Sequence, residues 1–100
     1  MGIDNSERSR LKAEVKRTLG LLKDKAPGKS VEVRVPPFAA IQCIEGVRHT
    51  RGTPPAVIEM NAQTWLAVAS GELAWADAID SGSIIASGER TDLSPYLPLY

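Results

Sequence analysis

Hydrophobic residues recur at helical spacing in the first part of the chain. They follow one another at intervals of four, four and three residues, which places them on one face of a helix: Leu11, Val15, Leu19 and Leu22. A polar residue among positions 4–6 can cap this helix, and Pro27–Gly28 ends it. We therefore predict an amphipathic helix within residues 1–28. Because a single stripe buries only one side, we expect this helix to lie across one face of a sheet.

A strict alternation of apolar and charged residues follows at Val31–Val35. This pattern predicts a strand with its valines inward and with Glu32 and Arg34 in water. Pro36–Pro37 removes two ladder donors, so the prolines either stop the strand or place it at a sheet edge. Residues 38–44 are more uniformly apolar and favour a second strand, with a short helix over 39–43 as the alternative.

The middle of the chain is rich in turn residues. Glu45–Gly46 indicates a turn, after which Val47–Thr50 can pair back as the second arm of a hairpin. Residues 51–55 predict a loop, and 56–60 a further strand. Within that strand, Glu59 either alternates outward to water or pairs with an arginine at the rim of a cavity: Arg34, Arg48 or Arg51.

Glycines end successive apolar runs in the second half of the chain. Asn61 is a good helix N-cap, and the run after it stops at Gly71. A second short run stops at Gly82, and the strand-like run after that stops at Gly88. The chain closes with an apolar segment over residues 92–99 that contains two prolines. The elements together predict an α+β fold with helices packed over one face of the sheet.

This order of motifs resembles the sterol carrier protein 2 (SCP2) family. The shared features are the helix ending Ala69-Ser70-Gly71-Glu72-Leu73, the helix ending at Gly82, the strand ending at Gly88, and the apolar terminus. The proline-flanked segment 33–55 resembles the bacterial branch, and the resemblance spans about residues 31–99. It implies an SCP2-like α+β fold with a small mixed or antiparallel sheet, an apolar cavity, and non-catalytic binding or transfer of a lipid, fatty acyl chain or acyl-CoA.

The resemblance also indicates where such a ligand would bind. The matching helices, the strand after them and the terminal segment supply the expected hydrophobic wall: Trp65, Leu66, Leu73, Trp75, Ile79, Ile84 and Leu97. A polar patch in the central segment is the expected contact for an anionic headgroup, through charge-assisted hydrogen bonds: Arg48, His49 and Arg51.

Length and charge limit the other interpretations. One hundred residues predict a single domain over 1–100, with little stability to spare for a wide cavity.

The net charge is zero, but residues 1–29 carry eight basic residues against four acidic ones. A basic helix of this kind can face an anionic membrane or nucleic acid. Its basic residues are interleaved with acids and lack aromatic neighbours, which favours an ordinary solvated face and no nucleic-acid partner.

Little in the sequence suggests catalysis. One cysteine and one histidine are too few for a metal site, and Cys43 lies in an apolar run typical of a buried hydrophobe. A Cys43–His49 pair across a hairpin is the enzymatic alternative. The sequence lacks a phosphate-binding loop, a dinucleotide fingerprint and a serine-nucleophile elbow, so we expect no cofactor and no enzyme activity.

The chain shows no apolar stretch of membrane-spanning length and no hydrophobic signal region, so we expect a cytoplasmic protein. A second function class stays open, namely a packed interaction or dimerisation module without a cavity. In that module the apolar helices and the terminal segment bury themselves against a partner. Concentration-dependent mass distinguishes it from a monomeric carrier.

Overall fold

A computed structural model describes residues 5–46, 56–88 and 91–100. It confirms the predicted α+β class. The predicted hairpin arm at 47–50 and loop at 51–55 lie outside the described residues. The elements in chain order are α1 (Asn5–Lys25), β1 (Val31–Val35), β2 (Ala39–Cys43), β3 (Ala56–Met60), α2 (Ala62–Ser70), α3 (Trp75–Asp80), β4 (Ile84–Ser87) and a single 3₁₀ turn (Ser94–Tyr96).

The described strands form a mixed sheet in the order β2-β1-β3-β4. β1 is antiparallel to β2 and parallel to β3, and β3 is antiparallel to β4. Pro36 and Pro37 therefore stop β1 and do not mark an edge, because β1 lies between two partners. The Phe38 N–H donates to the Val35 carbonyl at 3.0 Å and closes the turn into β2. Residues 39–43 are a strand, as favoured over the helical alternative.

The sheet has one apolar and one polar face, as the alternation predicts. The inner face, which α1 and α2 cover, carries fully or nearly fully buried side chains: Val31, Val33, Val35, Cys43, Ile58, Met60 and Ile84. The outer face carries Arg34 and Ile85, which are exposed, and Glu32 and Glu59, which are half-buried. Burial of apolar area on the inner face supplies the main driving force for this layer arrangement.

The two longer helices pack as their sequences indicate, and α2 also begins and ends as predicted. Val15, Leu19 and Leu22 are fully buried, which confirms the predicted stripe of α1. Asn61 caps α2, because its Oδ1 accepts a hydrogen bond of 2.8 Å from the Thr64 N–H. α2 ends at Gly71, whose φ of 85° lies in the left-handed region that glycine adopts without a Cβ clash.

The C-terminal tail, residues 91–100, runs against the helical layer. The Leu99 N–H donates to the Ala69 carbonyl on α2 at 2.8 Å. On α1, the ammonium of Lys25 donates to the carbonyls of Tyr96 and Pro98 at 3.2 and 3.3 Å. The Arg17 guanidinium stacks 5.4 Å from the centre of the Tyr100 ring. The tail thus contacts both helices and lies antiparallel to α1.

Candidate ligand site

The core between the sheet and the helices contains Trp65. This side chain is fully buried, and its indole Nε1–H donates to the Thr18 hydroxyl at 2.7 Å. That hydroxyl in turn donates to the Glu14 carbonyl within α1 at 2.7 Å. Because both polar groups are paired, a tryptophan and a threonine can occupy an apolar interior without the cost of an unmade hydrogen bond.

The seven predicted wall residues fall into three groups by exposure. Trp65 and Ile84 are inside the core, at 0% and 3% exposure, and Ile79 is exposed at 37%. Four others are partly buried and pack against the core from its margin: Leu66, Leu73, Trp75 and Leu97. The structure therefore brings six of the seven to the core or its margin. Their role in binding a ligand stays a prediction.

Leu66 lines a cleft on the surface of the helical layer. The cleft measures about 250 Å³, is open to solvent, and has Leu66 and Leu11 as its apolar residues. Glu7, Arg10 and Glu14 on α1 supply its polar side. Leu66 thus lies one residue along α2 from the buried Trp65 but faces a different part of the molecule, because successive helical residues diverge by about 100°.

A second cleft, of about 290 Å³, lies on the outer side of the sheet. The residues that line it come from the end of β1, the turn after it, the start of β2 and the end of β3: Arg34, Pro36, Pro37, Phe38, Ala39, Ala40 and Glu59. The Arg8 guanidinium stacks on the Phe38 ring at 5.3 Å from its centre. Glu59 points outward on this side, so it does not border the interior that the helices cover.

Electrostatics on the outer face centre on Arg34. Its Nε donates to a carboxylate oxygen of Glu32, and this hydrogen bond is the main cause of the raised pKa of the guanidinium. The charge of Glu59, which is the neighbour of Arg34 in the β1–β3 register, raises the pKa further. The three predicted headgroup residues, Arg48, His49 and Arg51, lie outside the described residues.

Cys43 carries a thiol whose pKa is shifted by burial. Its side chain is fully buried, and burial raises the pKa of the thiol to about 11. A thiol in this state is a small hydrophobe and a poor nucleophile. The alternative Cys43–His49 pair lies partly outside the described residues.

The described part of the chain lacks both a cluster of metal-binding side chains and a membrane-spanning helix. Residues 5–46, 56–88 and 91–100 contain no cluster of three or more His, Cys, Asp or Glu side chains arranged to hold a metal ion. No helix in those ranges is long and apolar enough to cross a bilayer.

Three contacts of the helical layer were missed from sequence: the Trp65–Thr18 hydrogen bond, the Lys25 contacts with the tail, and the stacking of Arg17 on Tyr100. Thr18 lies three residues after Val15 and therefore on the apolar face of α1. A threonine on that face was the one available signal of a buried polar partner. Nothing local to Lys25 or Arg17 indicates a contact with a segment more than seventy residues away.

Comparison with known proteins places the chain in a family. No curated protein sequence matches it. A solved structure that resembles it is sterol carrier protein 2 like 2 from Aedes aegypti, with 21% sequence identity over 81% of both chains and a TM-score of 0.37. The family model for the bacterial SCP ortholog matches residues 7–99. Since this match covers nearly the whole chain, the protein belongs to the bacterial family of sterol carrier protein (SCP) orthologs.

Proposed function

We propose that this protein reversibly binds a hydrophobic ligand, such as a lipid, a fatty acyl chain or an acyl-CoA, and carries out no reaction on it. The ligand lies against the margin of the apolar layer between the sheet and the helices, where Leu66, Leu73, Trp75 and Leu97 pack against the core. Membership of the SCP family supports a carrier role in general. Within this fold, the observation that carries the proposal is an apolar layer whose margin the C-terminal tail covers through a small set of hydrogen bonds.

Entry of a ligand requires an element to move, because the core side chains already pack with little or no exposure. The tail is the element best suited to that movement. Its Leu97 and Leu99 are only partly buried, and Lys25 contacts its carbonyls from the surface. An acyl chain that replaces these leucines would bury comparable apolar area, so the exchange costs little free energy.

The wall proposed for the ligand consists of the residues predicted from sequence: Trp65, Leu66, Leu73, Trp75, Ile79, Ile84 and Leu97. Arg48, His49 and Arg51 receive the anionic headgroup in this proposal. Cationic and imidazole donors of this kind suit a carboxylate or a phosphate, which accepts charge-assisted hydrogen bonds. Replacement of all three by Gln should weaken the binding of a fatty acid more than the binding of the corresponding uncharged alcohol.

Native mass spectrometry of gently purified protein tests the proposal, followed by solvent extraction of whatever co-purifies. We expect a stoichiometric adduct of lipid mass that extraction removes.

The site is tested by titration of a fluorescent fatty acid into the Leu66→Asp variant. This variant should bind the fatty acid at least about tenfold more weakly, because a charge in an apolar contact is costly. Gln63→Asp is the matched control, because residue 63 is exposed on the same helix. Wild-type affinity in a Leu66→Asp protein with a normal melting curve would exclude the proposed wall.

The second candidate is an interaction module with a filled core. The full burial of Trp65 and its pairing with Thr18 favour it, because these side chains occupy the interior that a ligand would need. A protein free of adducts that also fails to bind the fluorescent fatty acid would support this candidate over the carrier.

A further inference from the structure

The outer face of the sheet carries one row of side chains with a symmetric pattern. The strand register aligns four outward residues across β4, β3, β1 and β2. We call them the charged row, in the order Ile85, Glu59, Arg34, Ala40. The row reads apolar, acidic, basic, apolar. Ile85 is exposed at 67%, the highest value among the large hydrophobic side chains that are exposed in the described part of the chain.

This pattern is complementary to itself under one particular symmetry. A two-fold axis between two stacked sheets, parallel to their strands, reverses the row in the second copy. Arg34 then lies opposite Glu59 of the second copy, and Glu59 lies opposite Arg34 of the second copy. A two-fold axis across the strands would instead place Arg34 opposite Arg34. Only the first arrangement pairs unlike charges, and a two-fold contact makes each pair twice.

The same axis gives the exposed isoleucine a place to pack. It brings Ile85 of the second copy over Ala40, which lines the outer cleft of about 290 Å³. The floor and walls of that cleft include Pro36, Pro37 and Phe38, so an isoleucine side chain there exchanges water for apolar contact. The symmetric counterpart places Ile85 of this chain in the cleft of the second copy.

We propose that the outer face of the sheet is a self-association surface, on which two copies stack with Arg34–Glu59 pairs at the centre and Ile85 in each cleft. Arg34 can donate hydrogen bonds to Glu32 of its own chain and to Glu59 of the second copy at the same time. Glu32 accepts from Nε, and the guanidinium carries further N–H donors on its terminal nitrogens. The surface lies opposite the helical layer, so this inference is independent of the proposed ligand.

The size of the surface sets the expected strength. Strands about 4.8 Å apart and about 3.3 Å per residue give a four-stranded face of about 19 by 17 Å. The area of that face is smaller than the roughly 800 Å² that each partner buries in a standard interface. We therefore expect a weak dimer, with a dissociation constant between about 10 µM and 1 mM.

Sedimentation velocity of the full chain, from about 1 µM to about 1 mM, tests the proposal. The mass should rise with concentration toward twice that of the monomer. Arg34→Glu and Glu59→Arg should each weaken association about tenfold or more, because like charges then meet twice across the axis. The double variant Arg34→Glu/Glu59→Arg restores both pairs and should recover association to within about threefold.

Ile85→Lys provides a test that does not depend on the charged pair, and it should also weaken association about tenfold or more, since the cleft then loses its apolar occupant. Arg17→Glu is the matched control, because Arg17 is likewise an exposed arginine paired with a nearby glutamate, at 2.8 Å, but on the helical layer. It should leave association unchanged. A monomer at every concentration, wild-type association of Ile85→Lys, or a double variant that stays as weak as the single ones would overturn the proposal.

Discussion

Trp65 on α2 and Thr18 on α1 are joined by a fully buried hydrogen bond of 2.7 Å from the indole Nε1–H to the hydroxyl oxygen. It links the two helices that cover the sheet. Thr18 also donates to the Glu14 carbonyl, so its hydroxyl uses both its donor and an acceptor position. The contact makes the orientation of the indole ring specific, which apolar packing alone does less well.

Thr18→Val tests the energetic importance of this hydrogen bond. The shape of the side chain is nearly kept, but the indole N–H loses its partner in an apolar interior. We expect the free energy of unfolding to fall by about 1 to 3 kcal/mol in urea denaturation. In a Trp65→Phe background the same substitution should cost less, because no indole N–H is left unpaired. Equal costs in the two backgrounds would show that the bond contributes nothing specific.

Gly28 lies in the connection between α1 and β1, where the chain passes very close to Ile44. Its φ is 147°, and a Cβ at this position would overlap the Ile44 carbonyl group. The Ile44 N–H donates to the Ala26 carbonyl at 2.6 Å, so the two segments are tied together and cannot simply move apart. We expect Gly28→Ala to cost about 2 to 4 kcal/mol in the free energy of unfolding.

The matched control for Gly28 is Gly20, which lies inside α1 with open space around its Cβ position. Gly20→Ala should stabilise the protein by about 0.5 to 1 kcal/mol through helix propensity alone. Thermal melts of the two variants should therefore shift in opposite directions. Shifts in the same direction would contradict the geometry of the Gly28–Ile44 contact.

Lys25 is expected to hold the C-terminal tail on the helices. Lys25→Ala removes the donor to the carbonyls of Tyr96 and Pro98, and we expect faster hydrogen exchange at the Leu99 amide, which bonds to Ala69. The global free energy of unfolding should change by less than about 1 kcal/mol, because the contact is at the surface. Lys23→Ala is the control, since residue 23 lies on another side of α1. Unchanged exchange at Leu99 would mean that the tail is held without Lys25.

The buried thiol of Cys43 predicts a specific pH dependence. Burial raises its pKa from 9.0 to about 11, so between these values the unfolded chain loses the proton and the folded chain keeps it. The unfolded state then binds fewer protons, and stability falls as the pH rises from about 9 to about 11. This contribution is fully present below pH 9.

Cys43→Ala isolates that contribution, because other groups also titrate in the alkaline range. The loss of stability between about pH 9 and pH 11 should be larger in the wild type than in the variant, by an amount of order 1 to 3 kcal/mol. Native Cys43 should also react slowly with iodoacetamide and rapidly in urea. Identical pH profiles for the two proteins would rule out a pKa shift of this kind.

Local patterns predicted the elements of the fold well. The alternation at Val31–Val35, the stripe of α1, and the Asn61 and Gly71 signals at the ends of α2 each depend on residues close together in the chain. Their physical causes are equally local, namely strand pleating, helical periodicity and capping. For the same reason the family pattern was readable from the spacing of glycines and prolines.

The candidate site was predictable only in part. The amphipathic pattern indicates that Trp65, Leu66 and Trp75 are apolar contacts, but not which of them face the interior. Trp65 is fully buried, whereas the next residue lines an open cleft with α1. The crossing of α1 and α2 decides this difference, and a crossing depends on the packing of many side chains at once.

Local patterns of apolar and polar residues were enough to predict the fold class, the elements and the two faces of the sheet, because the two residue types must separate wherever water meets one side. Three relationships follow only from the folded chain: β1 lies between β2 and β3, Glu59 and Arg34 are neighbours on the outer face, and Trp65 bonds to Thr18. These pairings join residues far apart in the chain. Their free energy depends on the complete packed arrangement, and a short stretch of sequence does not predict that arrangement.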